Sequence, residues 1–154
     1  MVVGGPNARN DFHINETEVQ IFRPTKWWYI LTLLQEWFYQ LKGDMLLRTV
    51  QDGQFRDVNI REGDTFLLPG NTPHCPIRFA DTVGMVMERK RPEGSVDRLR
   101  WYCSKGSHPE PTIIHEESFH CTDLGTQLKP LIEAWQQNEE MRRCKKCGQI
   151  ENPK

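Results

Sequence analysis

Residues 63–74, GDTFLLPGNTPH, decide the fold of this chain, because they place turn residues and a histidine around one short apolar run. We expect Gly63 to turn the chain into a strand and Pro69 to end that strand. His74, five residues after the proline, should then project back into the mouth of a barrel. A histidine at a strand end is by itself more often structural or exposed than a ligand, so its role depends on the rest of the sequence.

On either side of this stretch, residues 36–91 consist of short β-like runs that are separated by turn residues. Gly43-Asp44 stands between two aromatic and β-branched runs, and Asp52-Gly53 predicts a tight hairpin of the type I′ kind. Several short strands at this spacing, with little helical periodicity, favour an antiparallel sandwich or barrel.

The C-terminal part of the chain has a different pattern. Apolar residues at spacings of three and four predict an amphipathic helix within residues 122–143, with Pro130 near its first turn. We expect Trp135 and Leu131 to pack this helix against the barrel. Residues 104–111 are rich in Gly, Ser, Pro and His, and they are predicted to form a loop.

The composition excludes several classes of protein. The chain has 154 residues, which suits one domain, and a formal net charge of −1 gives no field that would hold nucleic acid or an anionic membrane. We find no secretory signal, and the longest apolar run is too short to span a bilayer. Five cysteines, an odd number, predict reduced thiols or a metal knuckle rather than a disulfide framework. The expectation is a cytoplasmic protein without nucleic-acid or membrane partners.

The histidine-bearing stretch matches the second half-motif of cupin barrels, in which a glycine, a proline and a histidine follow one another at this spacing. The first half-motif needs a histidine, a nearby carboxylate and a glycine seven residues after that carboxylate. Glu36 and Gly43 supply its second part, and His13 is the one histidine upstream of them. Two histidines and one carboxylate are the donor set that holds non-haem Fe(II) and leaves positions open for substrate and O₂.

The expected fold is therefore all-β, a cupin double-stranded β-helix (jelly-roll barrel) with a C-terminal α-helix and a CxxC tail. The barrel should occupy residues 1–102. Residues 103–154 should form a loop, the helix and a CxxC knuckle that pack on the barrel.

Four longer motifs carry a closer resemblance, namely GGPNARNDFHINETE, EWFYQLKGDM, FLLPGNTPHCPIRFADTVGMVMERKRP and TDLGTQLKP. They resemble the 3-hydroxyanthranilate 3,4-dioxygenases, and most of all the fungal members of that family. The resemblance implies an Fe(II)-dependent, ring-cleaving dioxygenase that converts 3-hydroxyanthranilate and O₂ to 2-amino-3-carboxymuconate semialdehyde. That product cyclises to quinolinate for NAD biosynthesis in the kynurenine pathway. Family members begin upstream of GGPN, so we expect this chain to lack their first barrel strands.

The resemblance also implies roles for individual residues. His13, Glu36 and His74 would hold Fe(II), and Glu36 would also border the bound substrate. Arg78 would bind the substrate carboxylate, because a guanidinium fork suits a planar carboxylate. Glu88 would accept a hydrogen bond from the substrate hydroxyl and take its proton.

Two further roles are implied by the resemblance, each with a simpler alternative. Arg9 would lie near O₂, although a basic residue in a loop is usually solvated. Phe38 would line the substrate pocket. Arg78 and Glu88 have an alternative of their own, since they would also suit an ion pair at the barrel rim, which would contribute little to stability.

Residues 19–35, VQIFRPTKWWYILTLLQ, interrupt the first half-motif and have no counterpart in the family. They contain no acidic residue and two of the five tryptophans. The stretch is in frame, starts with valine (codons GT) and ends with glutamine (one codon is CAG), so we interpret it as a retained short intron. The alternative is a genuine insertion, because the apolar spacing over residues 26–41 also fits a helix. In that case Glu16 or Glu18 would stand nearer to His13, or no metal site would form.

Some family members carry two CxxC pairs that form a closed tetrahedral metal site. This chain keeps one pair, Cys144 and Cys147, whereas Cys103 is followed by Gly106 where its partner would stand. The resemblance thus implies a second, structural metal ion held by these three cysteines and a fourth ligand that the pattern leaves open. The candidates for that ligand are Cys121, His108 and His120.

Other interpretations remain at this point. With a truncated start and an interrupted half-motif, the chain would be a non-catalytic cupin-like fragment. A zinc-knuckle nucleic-acid binder built on Cys144 and Cys147 is disfavoured. One CxxC pair and a short basic run are weak signals, and the chain has no overall positive charge to support them. Exposed barrel strands would allow a homodimer. Cys75, beside His74, is expected to be a small pocket-wall residue rather than a nucleophile.

Overall fold

The structure is a computed structural model that describes residues 1–7, 9–15, 34–88, 90–91, 93–106 and 108–154. Within these residues lie ten strands and one helix. The strands are β1 (Val2–Gly4), β2 (Phe12–Asn15), β3 (Leu34–Lys42), β4 (Met45–Gln51), β5 (Gln54–Ile60), β6 (Thr65–Pro69), β7 (His74–Arg78), β8 (Val83–Glu88), β9 (Asp97–Tyr102) and β10 (Ile113–Phe119). The helix is α1 (Leu124–Gln137).

The strands form two sheets in which neighbouring strands are antiparallel. The order is β1-β8-β3-β6 in the four-stranded sheet and β10-β9-β2-β7-β4-β5 in the six-stranded sheet. Buried apolar side chains from both sheets form the main hydrophobic core, as two packed sheets require. Its members are Phe38, Met45, Leu47, Ile60, Leu68 and Val86. The predicted all-β, jelly-roll architecture with a C-terminal helix is confirmed.

The turn predictions around the histidine-bearing stretch are confirmed. Gly63 has a φ of 84°, which favours glycine, and β6 then runs from Thr65 to Pro69 before His74 opens β7. Asp52 and Gly53 have φ values of 52° and 68°, as a type I′ hairpin between β4 and β5 needs.

Gly43 joins two strands that do not pair with each other. It follows β3 of the four-stranded sheet and precedes β4 of the six-stranded sheet, and its φ is 63°. A Cβ at this position would lie 2.9 Å from Cγ2 of Thr82. The turn therefore carries the chain from one sheet to the other at a place where only a glycine fits without a shift.

The C-terminal helix packs on the barrel as predicted. Trp135 of α1 stacks on Trp101 of β9, with ring centroids 4.8 Å apart and planes 16° from parallel, and Leu131 packs beside this pair. The helix is shorter than the predicted range: it begins after Asp123, whose side chain accepts a hydrogen bond from the Gly125 N–H, and it ends at Gln137, before the C-cap residue Asn138. The expectation that Pro130 lies near the first turn is wrong, since it lies inside the helix on an exposed position.

The apolar spacing over residues 26–41 also fitted a helix. For residues 34–41 that helix is wrong, because they lie in strand β3, which begins at Leu34. Glu16, Glu18 and residues 19–33 lie outside the described residues. Strand β10 belongs to the predicted C-terminal segment and pairs with β9; the boundary at residue 102 stays a prediction. None of the helices in the described part of the chain is long and apolar enough to cross a membrane.

Candidate metal centre and its surroundings

Three potential metal ligands converge between the two sheets. His13 on β2 is paired in register with His74 on β7, and Glu36 on β3 faces them from the other sheet. All three are buried, and one ligand atom from each lies within 4.8 Å of the other two. Oε1 of Glu36 is 3.3 Å from Nε2 of His74 and 4.0 Å from Nδ1 of His13.

The charges in this cluster keep the carboxylate ionised. Burial by itself raises the pKa of Glu36, but the positive charge and hydrogen bond of His74, with smaller effects from His13 and Asn15, lower it to about 2. Burial likewise lowers the pKa of His74, yet the neighbouring Glu36 carboxylate raises it overall. A carboxylate that is ionised at neutral pH is what a metal ligand requires.

The second nitrogen of each imidazole is held by an acceptor. Nδ1 of His74 lies 3.0 Å from the Thr72 carbonyl oxygen, and Nε2 of His13 lies 2.7 Å from Oδ2 of Asp97. A carbonyl or a carboxylate accepts a hydrogen bond from the ring, so in the neutral form of each imidazole the remaining nitrogen presents its lone pair. Both lone-pair nitrogens are the ones nearest Glu36, so the residues fit a metal ion of the two-histidine, one-carboxylate type.

Arg78 is a buried cation without a carboxylate partner among the described residues. It lies on β7 four positions after His74, so both side chains are on the same face of that strand. Its side chain is largely shielded from solvent, and its Nε finds no hydrogen-bond partner in the part of the chain that the structure describes. Burial and, next, the charge of Arg9 lower the pKa of the Arg78 guanidinium. The predicted alternative of an Arg78–Glu88 ion pair is wrong, because Glu88 pairs with Arg91 instead.

Glu88 lies next to the candidate metal ligands. It is directly opposite Glu36 in the register of β3 and β8, so the two carboxylates are on one face of the sheet. Burial, followed by the negative charge of Glu36, raises the pKa of Glu88. Oε2 of Glu88 is 3.0 Å from Nη1 of Arg91. This ion pair lowers the pKa of Glu88, but by less than burial and Glu36 raise it.

Phe38 and Arg9 lie close to the candidate site. The Phe38 ring belongs to the main core and meets the His74 ring edge-on, with centroids 6.3 Å apart. The Arg9 guanidinium donates two hydrogen bonds to Asp11, one of them from Nε at 2.9 Å. Burial lowers the pKa of Arg9, but the hydrogen bond and charge of Asp11, with smaller effects from Cys75 and Glu36, raise it overall. Their predicted contacts with substrate and O₂ stay predictions.

The structure brings a second group of ligands together at the C-terminal end. Cys103, His108, Cys144 and Cys147 each offer one atom within 4.8 Å of the others. Sγ of Cys103 is 3.7 Å from Sγ of Cys147, and Sγ of Cys144 is 3.6 Å from Nε2 of His108. Of the three residues that the sequence left as candidates for a fourth ligand, His108 is the one in this group.

Three residues near the centre have no marker in the sequence. Asp97, Arg91 and Asn15 link the candidate ligands by hydrogen bonds, and we call them the Asp97 network. Asp97 is the first residue of β9, and nothing in the surrounding sequence distinguishes it from an acidic residue of a turn. Only the pairing of β9 with β2 brings it to His13.

A cavity of about 800 Å³ lies on the outer face of the six-stranded sheet; its lining includes Arg9 and, from the second ligand group, Cys103 and His108, but not His13, Glu36 or His74. Cys75 lines this cavity, because it alternates with His74 along β7 and points to the opposite face. Burial raises the pKa of the Cys75 thiol to about 12, so it is not a thiolate nucleophile at neutral pH. Cys75 is thus a wall residue of this outer cavity and not, as the sequence suggested, of a pocket that it would share with His74.

Comparison with known proteins identifies the family. A sequence model of the family described as 3-hydroxyanthranilic acid dioxygenase matches residues 24–136, a range that starts inside the window of residues 19–35 and includes Glu36 and His74. A protein from Aspergillus clavatus named 3-hydroxyanthranilate 3,4-dioxygenase 2 is 65% identical over 154 residues, which are 100% of this chain and 80% of the relative.

Two further relatives agree. The protein of the same name from Aspergillus fumigatus is 62% identical, again over 100% of this chain and 80% of the relative. The 3-hydroxyanthranilate 3,4-dioxygenase from Neurospora crassa is 57% identical over 96% of this chain and 71% of the relative. Likeness of this degree along nearly the whole sequence, together with the family-model match, means that the chain belongs to the 3-hydroxyanthranilic acid dioxygenase family.

Proposed function

We propose that this chain is an Fe²⁺-dependent 3-hydroxyanthranilate 3,4-dioxygenase. It would add both atoms of O₂ to 3-hydroxyanthranilate, break one ring C–C bond and give 2-amino-3-carboxymuconate semialdehyde, which cyclises to quinolinate for NAD biosynthesis. The observation that carries this proposal is the convergence of His13, Glu36 and His74 in a buried position between the sheets.

The three side chains would hold the metal as two neutral imidazoles and one carboxylate. Bound Fe²⁺ would supply open positions for the substrate and O₂ and allow electrons to pass between them. The burial of all three ligands would exclude bulk water from the reacting atoms.

Arg78 would bind the carboxylate of the substrate. A buried guanidinium with no anionic partner is costly unless a ligand supplies the charge, and a planar carboxylate accepts two parallel hydrogen bonds from it. Its place four residues beyond His74 on the same strand face puts its backbone about 13 Å along the strand from the backbone of His74.

Glu88 would accept the proton of the substrate hydroxyl. Its raised pKa makes it a better proton acceptor than an ordinary surface carboxylate, and its register opposite Glu36 puts it beside the metal ligands. The ion pair with Arg91 would keep the carboxylate oriented while its proton moves. Phe38 would form an apolar wall of the pocket beside His74, and Arg9, fixed by Asp11, would lie near O₂.

Cys103, His108, Cys144 and Cys147 would hold a second, structural metal ion. Three thiolates and one imidazole form a closed tetrahedral set, which leaves no open position for substrate and suits Zn²⁺. Hydrogen bonds from backbone N–H groups lower the pKa of the Cys144 thiol in spite of its burial, whereas burial raises the pKa of the Cys103 thiol to about 12, so a metal ion would have to displace the Cys103 proton. The ion would tie the C-terminal tail to the end of β9.

The remaining parts of the proposal concern context. We also propose that the chain divides into a barrel of residues 1–102 and a C-terminal unit of residues 103–154. The proposal further includes a cytoplasmic location and a homodimer. All five cysteines are free thiols, which agrees with a reducing compartment. Strand β1 is the edge of the four-stranded sheet, where a second copy would find unpaired backbone groups. Sedimentation of the purified chain would measure the oligomeric state.

The experiment that tests the proposal uses the full chain, loaded with Fe²⁺ without oxygen and then mixed with 3-hydroxyanthranilate and air-saturated buffer. We expect the absorbance of the semialdehyde product to appear, and we expect Glu36→Ala to abolish it. Glu93→Ala, which changes an exposed carboxylate, is the matched control. Absence of product from iron-loaded, folded protein would support the alternative of a non-catalytic cupin-like fragment.

A variant without residues 19–35 extends this test to the window. If the window disturbs the site, its deletion raises iron content and turnover. Equal iron content and equal activity in the two proteins would show that the window does not affect the centre. The transcript sequence between the codons of Glu18 and Glu36 decides separately whether the window is a retained intron.

A further inference from the structure

We propose that Asp97 is a positioning residue of the metal centre, which selects Nδ1 of His13 as the atom that faces the metal. This inference rests on the proposed function, because it assumes that His13, Glu36 and His74 hold a metal ion. It adds a residue that neither the sequence motifs nor the names of the relatives assign to the reaction.

The first step of the argument is the contact between Asp97 and His13. Oδ2 of Asp97 is 2.7 Å from Nε2 of His13, and both side chains are buried, with 0% of the Asp97 side chain exposed. Water therefore does not compete for this hydrogen bond. Because an ionised carboxylate only accepts, Nε2 must carry the hydrogen, and the lone pair is left on Nδ1.

The second step is the position of the other nitrogen. Nδ1 of His13 is the ring atom that lies 4.0 Å from Oε1 of Glu36, on the side where His74 also points. The tautomer that Asp97 selects is therefore the one with its lone pair toward the common point of the three ligands. A carboxylate that holds the second nitrogen of a ligating histidine is a recurring way to fix the ring and strengthen the metal bond.

The third step is the way in which Asp97 itself is held. Nε of Arg91 lies 3.0 Å from both carboxylate oxygens of Asp97, and Nη2 lies 2.7 Å from Oδ2. Arg91 thereby compensates the charge of a carboxylate that would otherwise be buried at high cost. The carboxylate has little freedom to rotate away from His13.

The Asp97 network also reaches the other ligand and the proposed proton acceptor. Nη2 of Arg91 is 3.3 Å from Oδ1 of Asn15, whose Nδ2 donates to Oε1 of Glu36 at 2.5 Å. Nη1 of the same guanidinium pairs with Glu88. One arginine thus connects the supports of two metal ligands with the carboxylate proposed to move the proton. We infer that Asp97 and Arg91 set the geometry of the centre as a unit.

Titration with Co²⁺ in a Cys147→Ser background, which removes the proposed second site, tests this role without any need for turnover. The visible absorption of bound Co²⁺ reports both occupancy and ligand geometry. We expect Asp97→Asn to weaken Co²⁺ binding by about 10- to 100-fold and to change the band shape, because the amide places a donor against Arg91 and loosens His13. The matched control is Asp57→Asn, a half-exposed aspartate that pairs with Arg48. Unchanged affinity and unchanged bands in folded Asp97→Asn protein would overturn the inference.

A measurement on the unaltered protein covers the case in which the variant does not fold. Nitrogen NMR of ¹⁵N-histidine-labelled protein distinguishes the two ring nitrogens of His13, with His13→Gln as the assignment control. We expect Nε2 to keep its hydrogen before and after Zn²⁺ is added, and Nδ1 to shift on binding. Metal-induced loss of the hydrogen on Nε2 would overturn the inference. If Zn²⁺ leaves both His13 and His74 signals unchanged, the proposed metal centre fails instead.

Discussion

His13 and His74 stand directly opposite each other on β2 and β7, with ring centroids 5.5 Å apart and ring planes inclined by 60°. This cross-strand pair supplies two ligands from one sheet, while Glu36 supplies the third from the facing sheet. A slip of either strand by one residue would turn its histidine to the opposite face. The metal centre therefore depends on strand register, and a bound ion would connect the two sheets.

The first prediction is that metal binding at this site stabilises the fold. A ligand that binds only the folded state adds about 2.7 kcal/mol at a concentration 100 times its dissociation constant. Differential scanning calorimetry should show a higher melting temperature for wild-type protein when Fe²⁺ is added without oxygen. Glu36→Ala should lose the part of this rise that comes from the centre, whereas Glu93→Ala should keep it. An identical rise in both variants would mean that iron binds elsewhere.

The second prediction concerns the metal-free protein at different pH values. The pKa of Glu36 is lowered from 4.5 to about 2, so its contribution of about 3 kcal/mol is present above pH 4.5 and is lost as the pH falls through about 2. The pKa of His74 is raised, so its contribution is present below pH 6.5 and is lost as the pH rises through its folded-state value. Metal-free protein should be most stable between about pH 4.5 and 6.5.

Chemical denaturation across the pH range checks this window. In Glu36→Gln the carboxylate is absent, so the dependence on pH through both groups should flatten. Because the metal replaces the proton on His74, Fe²⁺ affinity should rise with pH over the range where metal-free stability falls. Affinity that is constant from pH 6 to pH 8.5 would contradict the coupling between the two residues.

The third prediction is that Arg78 governs substrate binding more than folding. Arg78→Met removes the charge-assisted hydrogen bonds to the substrate carboxylate, so KM should rise by roughly 100-fold, equivalent to about 3 kcal/mol. The melting temperature should stay the same or rise, because the buried guanidinium has no anionic partner among the described residues.

Steady-state kinetics and thermal unfolding of one preparation separate these two effects. Arg56→Met is the matched control, since Arg56 is half-exposed and pairs with Asp52 on the surface. It should change neither quantity. A large loss of stability in Arg78→Met with an unchanged KM would show that the arginine is structural.

The fourth prediction is that Glu88 carries the proton of the reaction. Glu88→Gln keeps the shape of the side chain but removes its basicity, so kcat should fall by about 10²- to 10⁴-fold. Because the pKa of Glu88 is raised, the acidic limb of the wild-type rate profile should lie above the ordinary glutamate range. Stopped-flow kinetics from pH 5 to pH 8 measure both. If the pH profile of the rate of Glu88→Gln keeps the acidic limb, a group other than Glu88 causes that limb.

The fifth prediction is a second metal ion of structural type. Elemental analysis of wild-type protein should give two metal ions per chain, and Cys147→Ser should give one. His108→Ala should weaken this site, whereas His120→Ala, an exposed histidine outside the group, is the control. Ring-opening activity of iron-loaded Cys147→Ser should persist at low temperature, because the two clusters share no ligand. Loss of Fe²⁺ from the centre in Cys147→Ser would show that the clusters depend on each other.

The sequence was a good guide wherever local chemistry decides the structure. Gly63 and the Asp52-Gly53 pair need positive φ values, which few other residues adopt, so the turns and the strands between them were predictable. The spacing of His74 after Pro69 was also informative, because Pro69 ends β6 and His74 begins β7. Motif resemblance added His13 and Glu36, which local patterns alone would not connect.

The rest depends on contacts between distant parts of the chain. Asp97 reaches His13 only because β9 pairs with β2, and Arg91 reaches both Asp97 and Glu88 through the connection between β8 and β9. Likewise, the loop that follows β9 brings His108 to Cys144, a proximity that no spacing rule encodes. Helix α1 begins where the Asp123 side chain caps it, and the interior Pro130 hid that boundary.

The stacked indoles of Trp101 and Trp135 give this protein a built-in optical signal. Two indoles in contact couple their electronic transitions, and where their transition dipoles are skewed the coupling produces a paired band in circular dichroism that neither ring shows alone. One indole belongs to a barrel strand and the other to the C-terminal helix, so the band exists only while the helix is docked. Undocking of the helix can therefore be followed in real time, without a label, separately from the melting of the sheets.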